Sequence, residues 1–132
     1  MKDILVVDDD KIMLGLVKRI LVRAGFEAHC VSSGEEALAQ MRERTFSLMI
    51  TDYNMPGLNG IELSKKGLEI APHMPIIMDS GGLSPKVSRQ ALAIGISKVL
   101  AKPFLPDELL ETIRNVWELE GTEGMSAAKN PF

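Results

Sequence analysis

The stretch Ile4-Leu5-Val6-Val7-Asp8-Asp9-Asp10 decides the fold class, because a short apolar run ends abruptly in three carboxylates. Four consecutive apolar residues, three of them β-branched, are typical of a strand covered on both faces of a parallel sheet. The next segment, 11–23, carries its apolar residues at helical spacing, and Gly25 follows it at a common position for a helix end. This arrangement predicts one βα unit.

The same alternation continues along the rest of the chain. Four further β-rich runs follow, at residues 28–31, 48–51, 75–78 and 98–101. The segments between and after them have helical period, and their starts carry a capping-box sequence at Ser33–Glu36, a Ser84-Pro85 pair and Pro106. The third helix, predicted over 61–70, contains an unfavourable glycine. Five βα units in this order predict an α/β protein with a doubly wound parallel sheet.

Length and composition limit the possible classes of protein. The 132 residues are 45% apolar and 25% charged, with a net charge of -3, so we expect one folded domain without a general attraction for nucleic acid or membrane. Cys30 is the only cysteine, which excludes an intrachain disulfide. No apolar run is long enough for a signal or spanning segment. We therefore predict a cytoplasmic domain over residues 1–120 and a flexible C-terminal tail over 121–132.

Polar residues end four of the five predicted strands, and these strand ends should meet at one edge of the sheet. They are Asp8-Asp9-Asp10, Asp52, Asp79-Ser80 and Lys102-Pro103. Ligands of open parallel sheets bind beyond this edge, so the sequence predicts a single crevice there. Two carboxylates about 4 Å apart repel each other by about 4 kcal/mol at an effective dielectric near 20. A divalent cation with oxygen ligands, such as Mg²⁺, would offset this repulsion.

The chemistry that suits such a crevice is phosphoryl transfer. An aspartate nucleophile beside Mg²⁺ and a fixed positive charge from Lys102 would neutralise the transferring oxygens. Asp10 is better explained as a helix cap than as a ligand.

These residues resemble those of one known family, the receiver domains of two-component response regulators. The resemblance covers residues 2–119 and depends on five segments in order, at residues 4–10, 33–38, 52–60, 75–81 and 102–104. It implies a flavodoxin-like (βα)₅ fold with strand order 2-1-3-4-5. It also implies that an aspartate accepts a phosphoryl group from a sensor histidine kinase or phosphotransfer protein, and that the signal passes to a downstream protein.

The resemblance assigns roles to the carboxylates. Asp52 looks like the phosphoacceptor and a ligand of Mg²⁺. Asp9 would bind the cation directly, the Asn54 backbone carbonyl would be the third protein ligand, and Asp8 would act through water. The family is not an enzyme class in the usual sense, since each protein assists its own phosphorylation and dephosphorylation.

The resemblance also implies a conformational switch, from which this sequence departs at two positions. Lys102 would pair with Asp52 and then with the phosphoryl oxygens, and a cis bond to Pro103 would aim it inward. The Ser80 hydroxyl would move to the phosphoryl group. However, Val99 stands where the family usually has Tyr or Phe, and Asp79 stands where an apolar or small residue is usual. The sequence leaves open whether Asp79 faces the site or the solvent.

Two alternative functions remain at this point. Asp8-x-Asp10 also suits a phosphatase of the haloacid-dehalogenase type, in which Asp8 would be the nucleophile, but this leaves the Asp52 loop unexplained. A pseudo-receiver that binds partners without being phosphorylated is the other, suggested by Val99 and Asp79.

Overall fold

Strands and helices alternate strictly along the chain. The computed structural model describes the backbone of residues 2–128 and the side chains of residues 2–119. The strands are β1 (Asp3–Val7), β2 (Glu27–Val31), β3 (Leu48–Asp52), β4 (Ile76–Ser80) and β5 (Lys98–Ala101). The helices are α1 (Lys11–Arg23), α2 (Gly34–Glu43), α3 (Gly60–Ile70), α4 (Pro85–Ala93) and α5 (Pro106–Ala128). All five predicted βα units are confirmed.

The five strands form one parallel sheet in the order β2-β1-β3-β4-β5, which confirms the flavodoxin-like order. The chain winds from β1 to β2 in one direction and then crosses to β3 on the other side of β1. The order therefore reverses between β1 and β3, and ligands of such sheets bind at the carboxyl ends of these strands.

Alternation along the strands divides the core into two layers. Leu5 and Val7 of β1 pack with residues of α2, α3 and α4, whereas Ile4 and Val6 pack with residues of α1 and α5. All four are at most 2% exposed. Complete burial of such a side chain stabilises the fold by roughly 1.5–3 kcal/mol. Every strand residue is therefore assigned by its parity to one of two helix-covered faces.

Strand β4 is longer than the sequence predicts, because Asp79 and Ser80 belong to the strand rather than to the loop after it. Hydrogen bonds to neighbouring segments keep these residues in the sheet. The Tyr53 amide donates to the Asp79 carbonyl at 2.8 Å, and the Lys102 amide donates to the Ser80 carbonyl at 2.9 Å. Asp79 is consequently held on one face of the sheet.

The helices begin at polar caps. The Asp10 carboxylate accepts hydrogen bonds from the first turn of α1, as predicted. The Ser33 hydroxyl caps α2, but the Glu36 carboxylate accepts from the Ser32 amide rather than from Ser33 itself. A complete capping box occurs at Asn59, which opens α3 directly after the β3 loop. These caps fix where the loops at the carboxyl edge end.

Helix α5 is longer than expected and continues to Ala128. It thus overlaps the predicted tail: the backbone of residues 121–128 is helical, and residues 129–132 lie outside the described part of the chain. Glutamate, methionine and alanine favour helix here and offset the cost of two glycines. The flexibility predicted for this segment stays a prediction. Among the described residues, no helix combines the length and apolarity needed to cross a membrane.

Candidate functional site

Three carboxylates meet at the carboxyl edge of the sheet. Asp8 follows β1, Asp52 ends β3, and Asp79 lies in β4 directly opposite Asp52 in the register. All three are nearly buried, with exposed fractions of 4%, 7% and 2%. One oxygen from each lies within 4.8 Å of the others. The predicted meeting of carboxylates at this edge of the sheet is therefore observed, and it concentrates negative charge there.

Lys102 is the cation of this cluster. Its Nζ donates to Asp8 Oδ2 and to Asp52 Oδ1, both at 3.3 Å, and lies 3.7 Å from Asp79 Oδ1. The peptide bond from Lys102 to Pro103 is cis, in agreement with the resemblance. The four residues (Asp8, Asp52, Asp79 and Lys102) are called the acidic cluster below.

Burial and like charges shift the protonation of the cluster. Burial, opposed by Lys102 and assisted by Asp8, raises the pKa of Asp52. Burial raises the pKa of Asp79 further, to about 7, although Lys102 opposes the shift. Burial alone would lower the pKa of the Lys102 ammonium, but the three carboxylates outweigh it and raise that pKa. The ammonium therefore stays charged, whereas the site disfavours the ionised forms of Asp52 and Asp79.

The donor set fits a hard divalent cation. Carboxylate and carbonyl oxygens are the ligands that Mg²⁺ prefers. The cluster supplies closely spaced and largely buried carboxylate oxygens, those of Asp8 and Asp52 among them. Of the residues predicted for the cation, Asp8 and Asp52 lie in the cluster. Asp9 and Asn54 are exposed residues beside it in the sequence.

Ser80 is placed apart from the carboxylates. By alternation it shares the α4-covered face with Met78, whereas Asp79 faces the other way. Its side chain is completely buried, and its Oγ accepts a hydrogen bond from the Gly82 amide at 3.3 Å. Val99 packs on the same face as Ser80. The predicted role of Ser80 therefore requires its hydroxyl to move from this position.

Asp79 is the site residue whose placement the sequence left open. Asp79 lies two residues after Ile77, which packs in the layer formed with α1 and α5. Alternation along the strand therefore places Asp79 on that same face, together with its register partner Asp52. The apolar run predicts a strand that ends at Met78, so the sequence does not extend this alternation to Asp79.

Gly60 holds the start of α3 against the backbone of Asp52. A Cβ at this position would lie 2.6 Å from the Asp52 carbonyl oxygen and 3.0 Å from Met78 Sδ. We expect Gly60→Ala to lower the free energy of unfolding by about 1–3 kcal/mol, since backbone must shift to admit the methyl group. Urea denaturation measures this. Gly15→Ala is the control, because that exposed helical position has nothing within 4 Å and should gain stability; equal effects at both positions would contradict the close approach.

Comparisons with known proteins agree on one family. The family model for the response regulator receiver domain matches residues 4–114. The chain is 33% identical over 116 residues to the response regulator receiver protein CpdR of Brucella abortus, covering 88% of this chain and 97% of that protein. It is 31% identical over 115 residues to the C4-dicarboxylate transport transcriptional regulatory protein DctD of Rhizobium meliloti, covering 87% of this chain and 25% of that protein. A CheY-like receiver domain structure from Methanospirillum hungatei superimposes with a TM-score of 0.89 at 33% identity, over 93% of this chain and 98% of that one.

Proposed function

The chain belongs to the response regulator receiver domain family, and we propose that it accepts a phosphoryl group on Asp52 from a phosphohistidine donor and signals through protein contacts. The observation that carries this proposal is the pairing of Asp52 with Lys102 at the reversal point of the sheet. A carboxylate held beside an ammonium is positioned for attack on a phosphoryl group, whose negative oxygens the ammonium then stabilises.

The transfer step forms one bond and breaks one. An Asp52 carboxylate oxygen bonds to phosphorus while the bond from phosphorus to the donor imidazole nitrogen breaks. The electron pair stays on that nitrogen, which is left as a neutral imidazole after proton exchange with solvent. Lys102 changes partner in this step: its hydrogen bond to Asp52 Oδ1 is replaced by one to a phosphoryl oxygen. Hydrolysis of the acyl phosphate by water regenerates the carboxylate.

Mg²⁺ is part of the proposal because the carboxylates repel one another and the incoming phosphoryl group. Asp9, Asp52 and the Asn54 carbonyl would hold the ion directly, and Asp8 would act through water. When bound, Mg²⁺ supplies positive charge that neutralises phosphoryl oxygens. The buried, closely spaced oxygens of Asp8 and Asp52 support this assignment.

The signalling half of the proposal concerns Ser80. A new phosphoryl charge would draw the Ser80 hydroxyl from its Gly82 contact, and this movement would change the surface near α4. The donor is proposed to be a sensor histidine kinase or phosphotransfer protein. The recipient is a downstream protein rather than nucleic acid or membrane, for which a net charge of -3 provides no attraction.

Acetyl phosphate tests the chemistry without a cognate kinase. We expect the protein to gain one phosphoryl group in intact-mass measurements when Mg²⁺ is present, and none when EDTA is added. Absence of the gain in a protein shown to be folded by circular dichroism would contradict phosphorylation and favour a binding module that is not phosphorylated.

The assignment of the cation ligands predicts different effects at two adjacent aspartates. Asp9→Asn should weaken Mg²⁺ binding by at least about tenfold, since it removes a direct ligand. Asp10→Asn should leave the affinity within about twofold, because asparagine caps a helix as well as aspartate does. The two variants have the same net charge, and titration calorimetry compares them. Equal losses of affinity would show that only overall charge matters.

A further inference from the structure

Asp79 is an additional acidic group that neither the proposed transfer step nor the proposed cation site uses. Its side chain is 4% exposed, and its Oδ1 accepts no hydrogen bond from the described residues. A buried carboxylate oxygen without a donor is costly, so its position needs an explanation. The nearest charged group is the Lys102 ammonium, 3.7 Å away.

Lys102 is shared unequally by three carboxylates. An ammonium has three N–H donors, and two of them are used at 3.3 Å by Asp8 and Asp52. Asp79 lies at a longer distance, within ion-pair range but beyond a hydrogen bond. The attraction between Asp79 and the ammonium therefore opposes any movement of Lys102 towards an oxygen anion added at Asp52.

A phosphoryl group at Asp52 would also add negative charge beside Asp79. Asp52 and Asp79 are register partners on adjacent strands and face the same side of the sheet. Their carboxylates lie within 4.8 Å of each other, in a site where little solvent screens them. Repulsion at this separation is strong enough to shift a binding equilibrium by more than tenfold.

We propose that Asp79 is a positioning residue that opposes the phosphorylated state, because it attracts Lys102 and repels the phosphoryl oxygens. This inference rests on the proposed function, in which Asp52 carries the phosphoryl group. It differs from a structural role in the sign of its effect: loss of a merely structural contact would weaken phosphoryl binding, whereas removal of the Asp79 charge strengthens it.

Beryllofluoride, which mimics an acyl phosphate on a carboxylate, tests the proposal at equilibrium. The affinity of the full chain for it is measured by titration in saturating Mg²⁺ at mildly alkaline pH, with wild type, Asp79→Asn and Asp79→Ser. We expect both variants to bind at least about tenfold more tightly, equivalent to about 1.4 kcal/mol. Asp10→Asn, which removes one exposed charge from the neighbouring loop and keeps the cap, should change the affinity less than about twofold.

The outcomes separate the two proposals. Wild-type binding with equal or weaker affinity in both Asp79 variants would overturn the role of Asp79 and leave phosphorylation at Asp52 intact. Binding by the variants alone would support both proposals. No binding by any of the proteins, together with no labelling by acetyl phosphate, would overturn both. Using serine as well as asparagine guards against a variant that is misfolded or that gains a new amide contact.

Discussion

Asp52→Asn is expected to gain no phosphoryl group from acetyl phosphate under conditions that label the wild-type protein. Asparagine has nearly the same shape as aspartate but lacks the nucleophilic carboxylate, so no acyl phosphate can form. Because Asp52 is buried between two other carboxylates, the neutral amide also relieves repulsion, and the variant should remain folded. Intact-mass measurement in Mg²⁺ gives the result directly.

Two controls make this result specific to Asp52. Asp10→Asn should be labelled like the wild type, since Asp10 caps α1 and is not part of the acidic cluster. Thermal unfolding should show that Asp52→Asn is at least as stable as wild type. Labelling of a folded Asp52→Asn protein to the wild-type extent would place the nucleophile on another residue.

The second large effect is a pH-dependent gain in stability from Asp79→Asn. Burial raises the pKa of Asp79 from 3.8 to about 7, so the folded state binds a proton more tightly than the unfolded state does. Wild-type stability from this group is therefore present below about pH 4 and is lost as pH rises through about 7. The full shift corresponds to roughly 4 kcal/mol, which is an upper limit for the gain.

Asparagine does not titrate, so its advantage should be small near pH 4, grow towards pH 7 and level off above it. Urea denaturation at several pH values, with EDTA present to exclude bound cations, measures this difference. Asp10→Asn provides a control with the same charge change at an exposed position, and it should lack the gain that Asp79→Asn shows near neutral pH. A stability gain for Asp79→Asn that is equally large at pH 4 and pH 8 would contradict the electrostatic origin.

The fold was predictable because local and global signals agree. The apolar run of β1 followed by Asp8 marks both a buried strand and its carboxyl end, and the same combination recurs at Asp52. Once these strands are placed in one parallel sheet, their last residues must meet. Lys102 could be predicted as part of the same site because it follows the fifth apolar run.

The details that sequence could not provide depend on tertiary contacts. Asp79 and Ser80 are polar residues at the end of an apolar run, and only hydrogen bonds from Tyr53 and Lys102 show that the strand includes them. When the predicted strand ends one or two residues too early, the sequence does not say which face of the sheet the residues beyond that end occupy. The extent of α5 likewise differs from the sequence prediction, because Gly121 suggests a helix end although the observed helix continues through it to Ala128.

The alternative nucleophile can also be judged from the structure. Asp8 is committed on both oxygens: Oδ1 accepts from the Asp10 amide at 2.9 Å and Oδ2 accepts from Lys102 at 3.3 Å. Asp52 Oδ1 contacts Lys102 as well. Both carboxylate oxygens of Asp8 thus accept hydrogen bonds, whereas Asp52 accepts one from Lys102 at Oδ1. The less engaged carboxylate of Asp52 is favoured as the attacking group over Asp8, the nucleophile expected for a haloacid-dehalogenase-type phosphatase.

Chemical mapping can identify which residue carries the phosphoryl group. The protein is labelled with acetyl phosphate and Mg²⁺, the acyl phosphate is reduced with borohydride to homoserine, and the converted residue is located by peptide mass spectrometry. We predict homoserine at Asp52 alone. Conversion at Asp8 or Asp79 in place of Asp52 would contradict the proposed phosphoacceptor.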